Sequence, residues 1–338
     1  MPAHGPSRKS PGAEASLQAK TKRGTAARWL LRLVGPALLA VILLRLDDPA
    51  AIGRMFARAD PVWLGAALAV KFLAIHLKVV RWQLMLRARN IHYRTRDAWL
   101  AFSSSLYLAM TTPGRVGDVL RVQYLKHDLG ATYAEGLASV VMDRLFDLYV
   151  LAGFVAVAMV RYAPVIGGDL WLVSWAVVGA TVLGPLLLLV PGLAERLMSR
   201  AYARLARDAE ADGLARFLAA VRAQVSRAMV LTLPLTVVSF LVGFGQGWLA
   251  ANALGLPLSF FDAVCLLAVA NLMGLLPISM SGVGIREAFF AIVFPAIGLT
   301  ASQGVAFGLF VFFVVYIALA VIGFIAWQIK PPTFSASR

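Results

Sequence analysis

The sequence specifies an all-α, polytopic membrane protein of about six transmembrane helices plus two re-entrant or broken helical hairpins, arranged as an inverted repeat. Three observations lead there. Hydrophobic residues fill 60% of the 338 positions and charged residues only 14%, with a mean hydropathy of +0.78, whereas a soluble domain is near half apolar and about a quarter charged. Apolar runs approaching or reaching the ~20 residues that cross a bilayer recur from residue 30 to residue 327. They leave no stretch for a soluble catalytic domain and lack the alternation of a membrane β-barrel. Two of the runs break into turns dense in Pro, Gly and charge.

In chain order, residues 1–28 are rich in Pro, Gly, Ser, Ala and basic side chains, cannot bury a core, and read as a disordered cytoplasmic tail. Residues 30–44 have the look of a signal peptide's apolar part, but Arg32 interrupts them and the following RLDDPAA offers no small-x-small site. They read as an uncleaved first helix. Further spans are expected over 62–80, 137–160, 170–190, 229–254 and 305–327. The tracts 1–28, 81–126, 196–227 and 330–338 are rich in Arg and Lys, while 45–60 and 161–169 balance acid and base. Both termini are therefore expected on the cytoplasmic side of a bacterial inner membrane. Trp29, Trp63, Trp82, Trp171 and Trp327 fall at span ends, where an amphipathic ring favours the interface.

One integral domain then covers 29–330, with repeat halves of about 29–161 and 169–328 and a short cytoplasmic tail at 331–338. The segment 191–228 carries Arg196, Arg200, Arg204 and Arg207 beside Leu193, Leu197 and Leu205. It suits an amphipathic interfacial helix and equally a solvated basic linker.

The net charge of +15 and pI near 10.6 would suggest nucleic acid in a soluble protein. Here the cations flank apolar spans and no RNA-binding or helix-turn-helix signature accompanies them, so charge reports topology and anionic lipid rather than a nucleic-acid partner. The single cysteine, Cys265, lies in an apolar run and suits packing. His4, His76, His92 and His127 show no metal-ligand spacing, and no GxxxxGK[ST] occurs, so no metal, cofactor or ATP hydrolysis is expected.

The broken segments carry the candidate chemistry. Residues 99–110 run into Pro113-Gly114-Arg115-Val116-Gly117-Asp118, followed by Arg121. Glycines let backbone amides approach a ligand, a helix starting near Val116 would aim its positive end at an anion, and Arg115 or Arg121 could grip phosphate in a fork. A turn with positive-inside arginines is the other reading. Residues 263–276 run into Ser281-Gly282-Val283-Gly284-Ile285-Arg286-Glu287, where Arg286 and Glu287 sit far from any basic loop. A charge at a membrane helix centre costs roughly 2.5–3.5 kcal/mol, so such residues serve a ligand or a partner. Each segment can be a re-entrant hairpin or a crossing plus an interfacial helix. As hairpins they enter from opposite sides and meet near the midplane.

Asp143, Arg144 and Asp147 open the span to 160, with both carboxylates on one face. One Arg cannot neutralise two Asp, so the residual acid is expected to pair with Lys71 or Arg115, or to titrate; the other reading is a cluster at the cytoplasmic end that simply snorkels. Lys71 lies near the middle of 62–80 with no short path to an interface, whereas His76 and Lys78 are expected to snorkel. Arg286 and Glu287 are adjacent, about a hundred degrees apart on a helix, and are expected to take different partners. Glu287 would meet Lys71 or cap the helix N-terminus.

PGRxGD with a following Arg, then DRLFDL, then PxSxSGxGxRE resembles the flippase-like transmembrane region of lysylphosphatidylglycerol synthases and its stand-alone relatives, over about 30–327. The resemblance implies movement of modified lipids between leaflets, with head-group contact at Arg115, Asp118, Arg121, Arg286 and Glu287 and the Asp143, Arg144, Asp147 cluster nearby. This sequence shows no soluble aminoacyl-transferring domain after that region, which argues against lysylphosphatidylglycerol synthesis. The expected activity is that of a lipid flippase or transporter for a phosphate-bearing lipid, whether phospholipid, aminoacylated lipid or prenyl-phosphate-linked lipid. A membrane-embedded lipid-phosphate transferase, or an accessory subunit of a separately encoded synthase or glycosyltransferase, are the alternatives.

Overall fold

The computed structural model describes residues 34–111, 117–162, 212–275 and 282–332, with isolated helical positions between 172 and 183. All regular elements among the described residues are helical. In order they are α1 (Val34–Arg45), α2 (Ala50–Ala57), α3 (Pro61–Arg87), α4 (Thr95–Thr111), α5 (Leu120–Leu129), α6 (Tyr133–Arg161), α7 (Asp212–Ala253), α8 (Phe260–Met273), α9 (Ile285–Ala296), α10 (Ala301–Val311), a π-helical segment (Phe312–Ile317) and α11 (Ala318–Ile329).

Local chemistry sets the starts. Asp60 accepts from the Val62 amide at 2.7 Å with Pro61 at the first helical position of α3. Thr132 and Glu135 form a reciprocal capping box before α6, and the hydrogen bond donated by the Thr132 amide holds the Glu135 carboxyl below the ordinary range. Thr300 and Gln303 form the same box before α10, and Ser259 caps α8 by accepting from the Asp262 amide. Gly130, at φ +64°, ends α5.

Three described helices are long and apolar enough to cross a membrane: Pro61–Arg87, Leu231–Ala253 and Ala301–Ile329. At 29 residues, α6 is also long enough, but it carries charge. Of the expected spans, those over 62–80, 137–160, 229–254 and 305–327 fall within longer helical runs, and that over 30–44 is described as Val34–Arg45. Past residue 80, α3 continues because Arg81, Trp82, Gln83, Met85 and Leu86 are buried against neighbouring elements, so Trp82 is core rather than an interfacial anchor, its indole N–H reaching Ser139 Oγ at 3.3 Å. The span expected from residue 229 belongs to a helix running back to Asp212, so the end of the basic segment continues α7. The tails, most of 170–190 and the Arg196–Arg207 stripe lie outside the described residues.

The two broken segments are short helix pairs. α4 has 17 residues, α5 10, α8 14 and α9 12, each below the ~20 that span a bilayer, and α4 packs on α5 as α8 packs on α9. Both pairs fasten to the last long helix. α9 lies along α10, α4 lies along α11, and the π segment stands between. Small residues allow the approach: a Cβ added at Gly304 would overlap the Phe290 carbonyl, one at Gly308 would press on the Glu287 side chain, and one at Gly323 would overlap the Ser103 carbonyl. At the far end of α11, Lys330 Nζ lies 3.0 Å from Asp97 and 2.5 Å from Asp128, and Tyr124 donates its hydroxyl to the Lys330 carbonyl. These bonds tie the last helix to the base of the first hairpin. Cys265 is buried in an apolar cluster with Leu266, Phe290, Phe294 and Phe307, the packing role expected of it.

Gly304→Ala should lower stability by about 1–3 kcal/mol through overpacking against backbone, while Gly243→Ala, where an added Cβ meets nothing within 4 Å, should be neutral or raise stability by up to about 1 kcal/mol. Thermal unfolding of the two variants in detergent checks this. Equal melting temperatures would show that α9 does not need a glycine beneath it.

Candidate functional site

Buried charge gathers in two places. The first lies where α3, α5, α6 and α7 meet. The capping box adds more than two turns to the start of α6, so Asp143, Arg144 and Asp147 stand ten to fourteen residues inside the helix and not at its opening. Asp143 is wholly buried and does not snorkel. The partner that balances the two carboxylates is Arg81, which the sequence reading assigned to a basic loop. Its guanidinium ion-pairs with Asp143 and with Asp147 at 2.6 Å, and donates to Thr236 Oγ1 at 3.1 Å. That threonine returns its own hydroxyl to the Thr232 carbonyl in α7, two residues beyond Pro234.

From the first hairpin, Arg121 donates to Asp143 Oδ2 at 3.0 Å, its guanidinium 4.6 Å from the Phe102 ring centre and 5.4 Å from that of Trp82. Arg144 Nε lies 3.1 Å from Asp118 Oδ2, and Arg144 Nη1 lies 3.5 Å from Asp147. Lys78 lies 3.6 Å from Asp147, so it too points into the cluster and does not snorkel. Four cations thus face three carboxylates, leaving one positive charge in surplus. Nε of Arg81 and both Nε and Nη2 of Arg121 are buried without a hydrogen bond among the described residues. Gly117 lets the two arms of this hairpin touch, since a Cβ there would overlap the Leu108 backbone.

The second place is the start of α9. Gly282 and Gly284 hold φ of +78° and +86°, which an L side chain rarely adopts. A Cβ at Gly282 would stand 3.2 Å from the Gly274 Cα, and one at Gly284 would strike the Gly35 carbonyl of α1. Glu287 accepts from the Gly284 amide at 2.5 Å, so the capping role expected of it is the one found. The separate partners expected for Arg286 and Glu287 are not found. Arg286 folds back, donating from Nε and Nη2 to Glu287 Oε1 at 3.1 and 2.7 Å. The reason is that the flexible methylene chain of arginine easily carries its guanidinium across the hundred degrees separating two Cβ vectors. The same guanidinium lies 5.8 Å from the Phe312 ring centre and 5.2 Å from that of Tyr316, both in the π segment. Nη1 makes no hydrogen bond among the described residues.

Lys71 is 6% exposed and pairs with neither Glu287 nor the aspartates. Pro113, Gly114, Arg115 and Ser281 lie outside the described residues. The other expected site residues therefore divide between two clusters: Gly117, Asp118, Arg121, Asp143, Arg144 and Asp147 at the first, Gly282, Gly284, Arg286 and Glu287 at the second. Arg81 and Lys78 were missed because a cation near a span end reads as topology. The available signal was their spacing, which with Lys71 puts three cations along one stretch of α3.

Arg81→Ala should strand Asp143 and Asp147 and cost about 3–5 kcal/mol. A double-mutant cycle between Arg81 and Asp147 should give a coupling of about 0.5–3 kcal/mol, and the cycle between Lys71 and Glu287 none. Coupling in the second cycle alone would contradict the pairing described above.

The family model for the lysylphosphatidylglycerol synthase TM region matches residues 29–323. A UPF0104 membrane protein of Methanothermobacter thermautotrophicus is 20% identical over 301 residues, covering 82% of this chain and 88% of that protein. Glycosyltransferase AglD of Haloferax volcanii is 29% identical over 154 residues, 44% of this chain, so this chain matches only 23% of the length of that relative. With its motifs, helices and hairpins covered almost end to end by one family model, the chain belongs to the lysylphosphatidylglycerol synthase transmembrane-region family.

Proposed function

We propose that the protein binds a phosphate-bearing lipid where its two hairpins meet the last helix and passes it between leaflets, as a flippase or transporter of a bacterial inner membrane with both termini in the cytoplasm. The observation that carries this reading is the state of Arg286. It is a nearly buried cation on an apolar helix, held in one orientation by Glu287 and two aromatic rings, with one guanidinium nitrogen making no hydrogen bond among the described residues. Burying a cation this way is unfavourable unless something is gained from its charge, and a planar fork suits a phosphate oxygen. The π segment beneath it is a form of backbone that recurs at functional sites. Acyl or prenyl tails would remain in the bilayer while the head group is shielded between the hairpins. Inverted-repeat halves of about 29–161 and 169–328 would supply one hairpin from each side.

The likeness to a glycosyltransferase over 154 residues favours a second reading, in which the chain serves a separately encoded synthase or glycosyltransferase as an accessory subunit. A lipid-phosphate transferase is less well supported, because the carboxylates it would offer to Mg²⁺, Asp143 and Asp147, are both bonded to Arg81.

In liposomes containing a fluorescent anionic phospholipid, the wild type should equilibrate the probe between leaflets. Arg286→Lys, which keeps charge but loses the fork, should slow this by about tenfold or more. Gly282→Val and Gly284→Val should abolish it while leaving membrane insertion intact. Transport by Arg286→Lys at the wild-type rate would sink fork recognition. Co-purification with a synthase, together with normal function of Arg286→Ala, would favour the accessory reading.

A further inference from the structure

We propose that Gln246 is a positioning residue for the Arg286 site. Its amide takes up a backbone carbonyl that the π register of the last helix releases, and so keeps the Phe312 and Tyr316 rings beneath the Arg286 guanidinium. The inference rests on the reading that a phosphate-bearing lipid meets Arg286, and it names the group that readies that arginine.

In an α-helix each amide reaches the carbonyl four residues back, and in a π turn the one five back. The amides that close the segment, at and just after Ala318, reach the carbonyls of Phe313 and Val315. They pass over the carbonyl between, that of Val314. This carbonyl accepts instead from Gln246 Nε2 of α7, at 3.3 Å. A buried carbonyl without a donor is costly, so the bond favours the π register over a regular turn. Gln246 is wholly buried, and its Oε1 makes no hydrogen bond among the described residues. Phe244 and Ala250, its neighbours along α7, belong with Val314 to one apolar cluster. A primary amide is expensive to bury in such surroundings, and what it contributes here is the donor that Val314 receives.

Val314 stands two residues from Phe312 and two from Tyr316, whose rings stack at 5.9 Å. Two residues along a helix is roughly half a turn. The rings therefore face Arg286 of α9 on one side while Val314 packs toward α7 on the other. The braced carbonyl lies midway between the two rings that seat the arginine. Without the Gln246 donor, Val314 finds a partner along the chain once the segment takes α register. That change of one residue turns the backbone beneath the rings by up to about a hundred degrees.

The test uses the full chain in detergent and in liposomes. Gln246→Met keeps the length of the side chain and loses the donor, whereas Gln246→Asn keeps the amide and falls one methylene short of Val314. In each, labelling of Arg286 by phenylglyoxal, read by mass spectrometry, should rise about tenfold, and exchange of a fluorescent anionic phospholipid between leaflets should slow about tenfold, the worth of one buried hydrogen bond. Labelling of Arg81, equally buried in the first cluster, should stay as it is; a rise at both arginines would mean general loosening and would overturn the assignment. Tyr316→Leu should also raise Arg286 labelling, and combining it with Gln246→Met should add nothing further. Full additivity would mean that Gln246 acts elsewhere. Wild-type labelling of Arg286 in both Gln246 variants would remove Gln246 from the site, and so would a rise in Gln246→Asn with none in a folded Gln246→Met. If Gln246→Met does not fold, Gln246→Asn with the Arg81 control decides. Arg286→Ala tests the lipid reading apart. If it stops exchange while the Gln246 variants label and exchange as the wild type does, the lipid reading stands without Gln246. If Arg286 labelling rises as expected but no variant, Arg286→Ala included, alters exchange, Gln246 positions Arg286 and the lipid reading fails.

Discussion

Charge inside an apolar bundle must be compensated, and the Arg81 guanidinium is where this chain does so most fully. It joins two carboxylates of α6 to a hydroxyl of α7 from within α3, so three long helices share one buried ion. Arg121 then brings the first hairpin to the same carboxylate, and Arg144 brings Asp118. A planar, permanently charged fork can satisfy several acceptors at once in fixed directions, which a lysine could not do. Such a network fixes register among helices that share uniformly apolar faces and would otherwise slide. The hydrophobic clusters around it supply contact area, but their side chains are interchangeable in a way that the ions are not.

The last helix is organised by a different device. Its glycines let α9 approach at one end and α4 at the other, so each hairpin is seated on its own half. Between the halves the helix widens into a π turn, where one extra residue per turn misaligns the ladder and opens the backbone. The two seats therefore do not share one rigid rod. Lys330 pins the far end to the first hairpin through Asp97 and Asp128, while Glu287 and Gly284 hold the start of the second. The middle, with Phe312 and Tyr316 under Arg286, is left as the least regular part of that helix.

The contrast between the clusters has chemical meaning. At the first, acids and bases are interleaved, every guanidinium meets at least one carboxylate, and the arrangement behaves as a scaffold. At the second, one acid is shared by an amide and an arginine. An ion network shared by several helices in one place and a single acid–arginine pair at a helix start in the other separate a structural role from a ligand-seeking one more clearly than residue types do.

Composition and spacing by themselves determined the class of the molecule, its long helices, its two broken segments and the motif that identifies its family. These follow from hydropathy averaged over many residues, from Pro and Gly at turns, and from the capping signal of Glu287, all of which act within a few residues along the chain. The pairing of charges was decided only in three dimensions. Arg81 was indistinguishable from a topological cation until α6 and α7 closed over it, Trp82 from an interfacial anchor until it was buried against Ser139, and Lys71 from a partner of Glu287 until Arg286 folded onto that acid. An ion pair in a membrane bundle depends on which side chains reach one another across helices distant in sequence, and neither periodicity nor the charge count of a loop contains that distance.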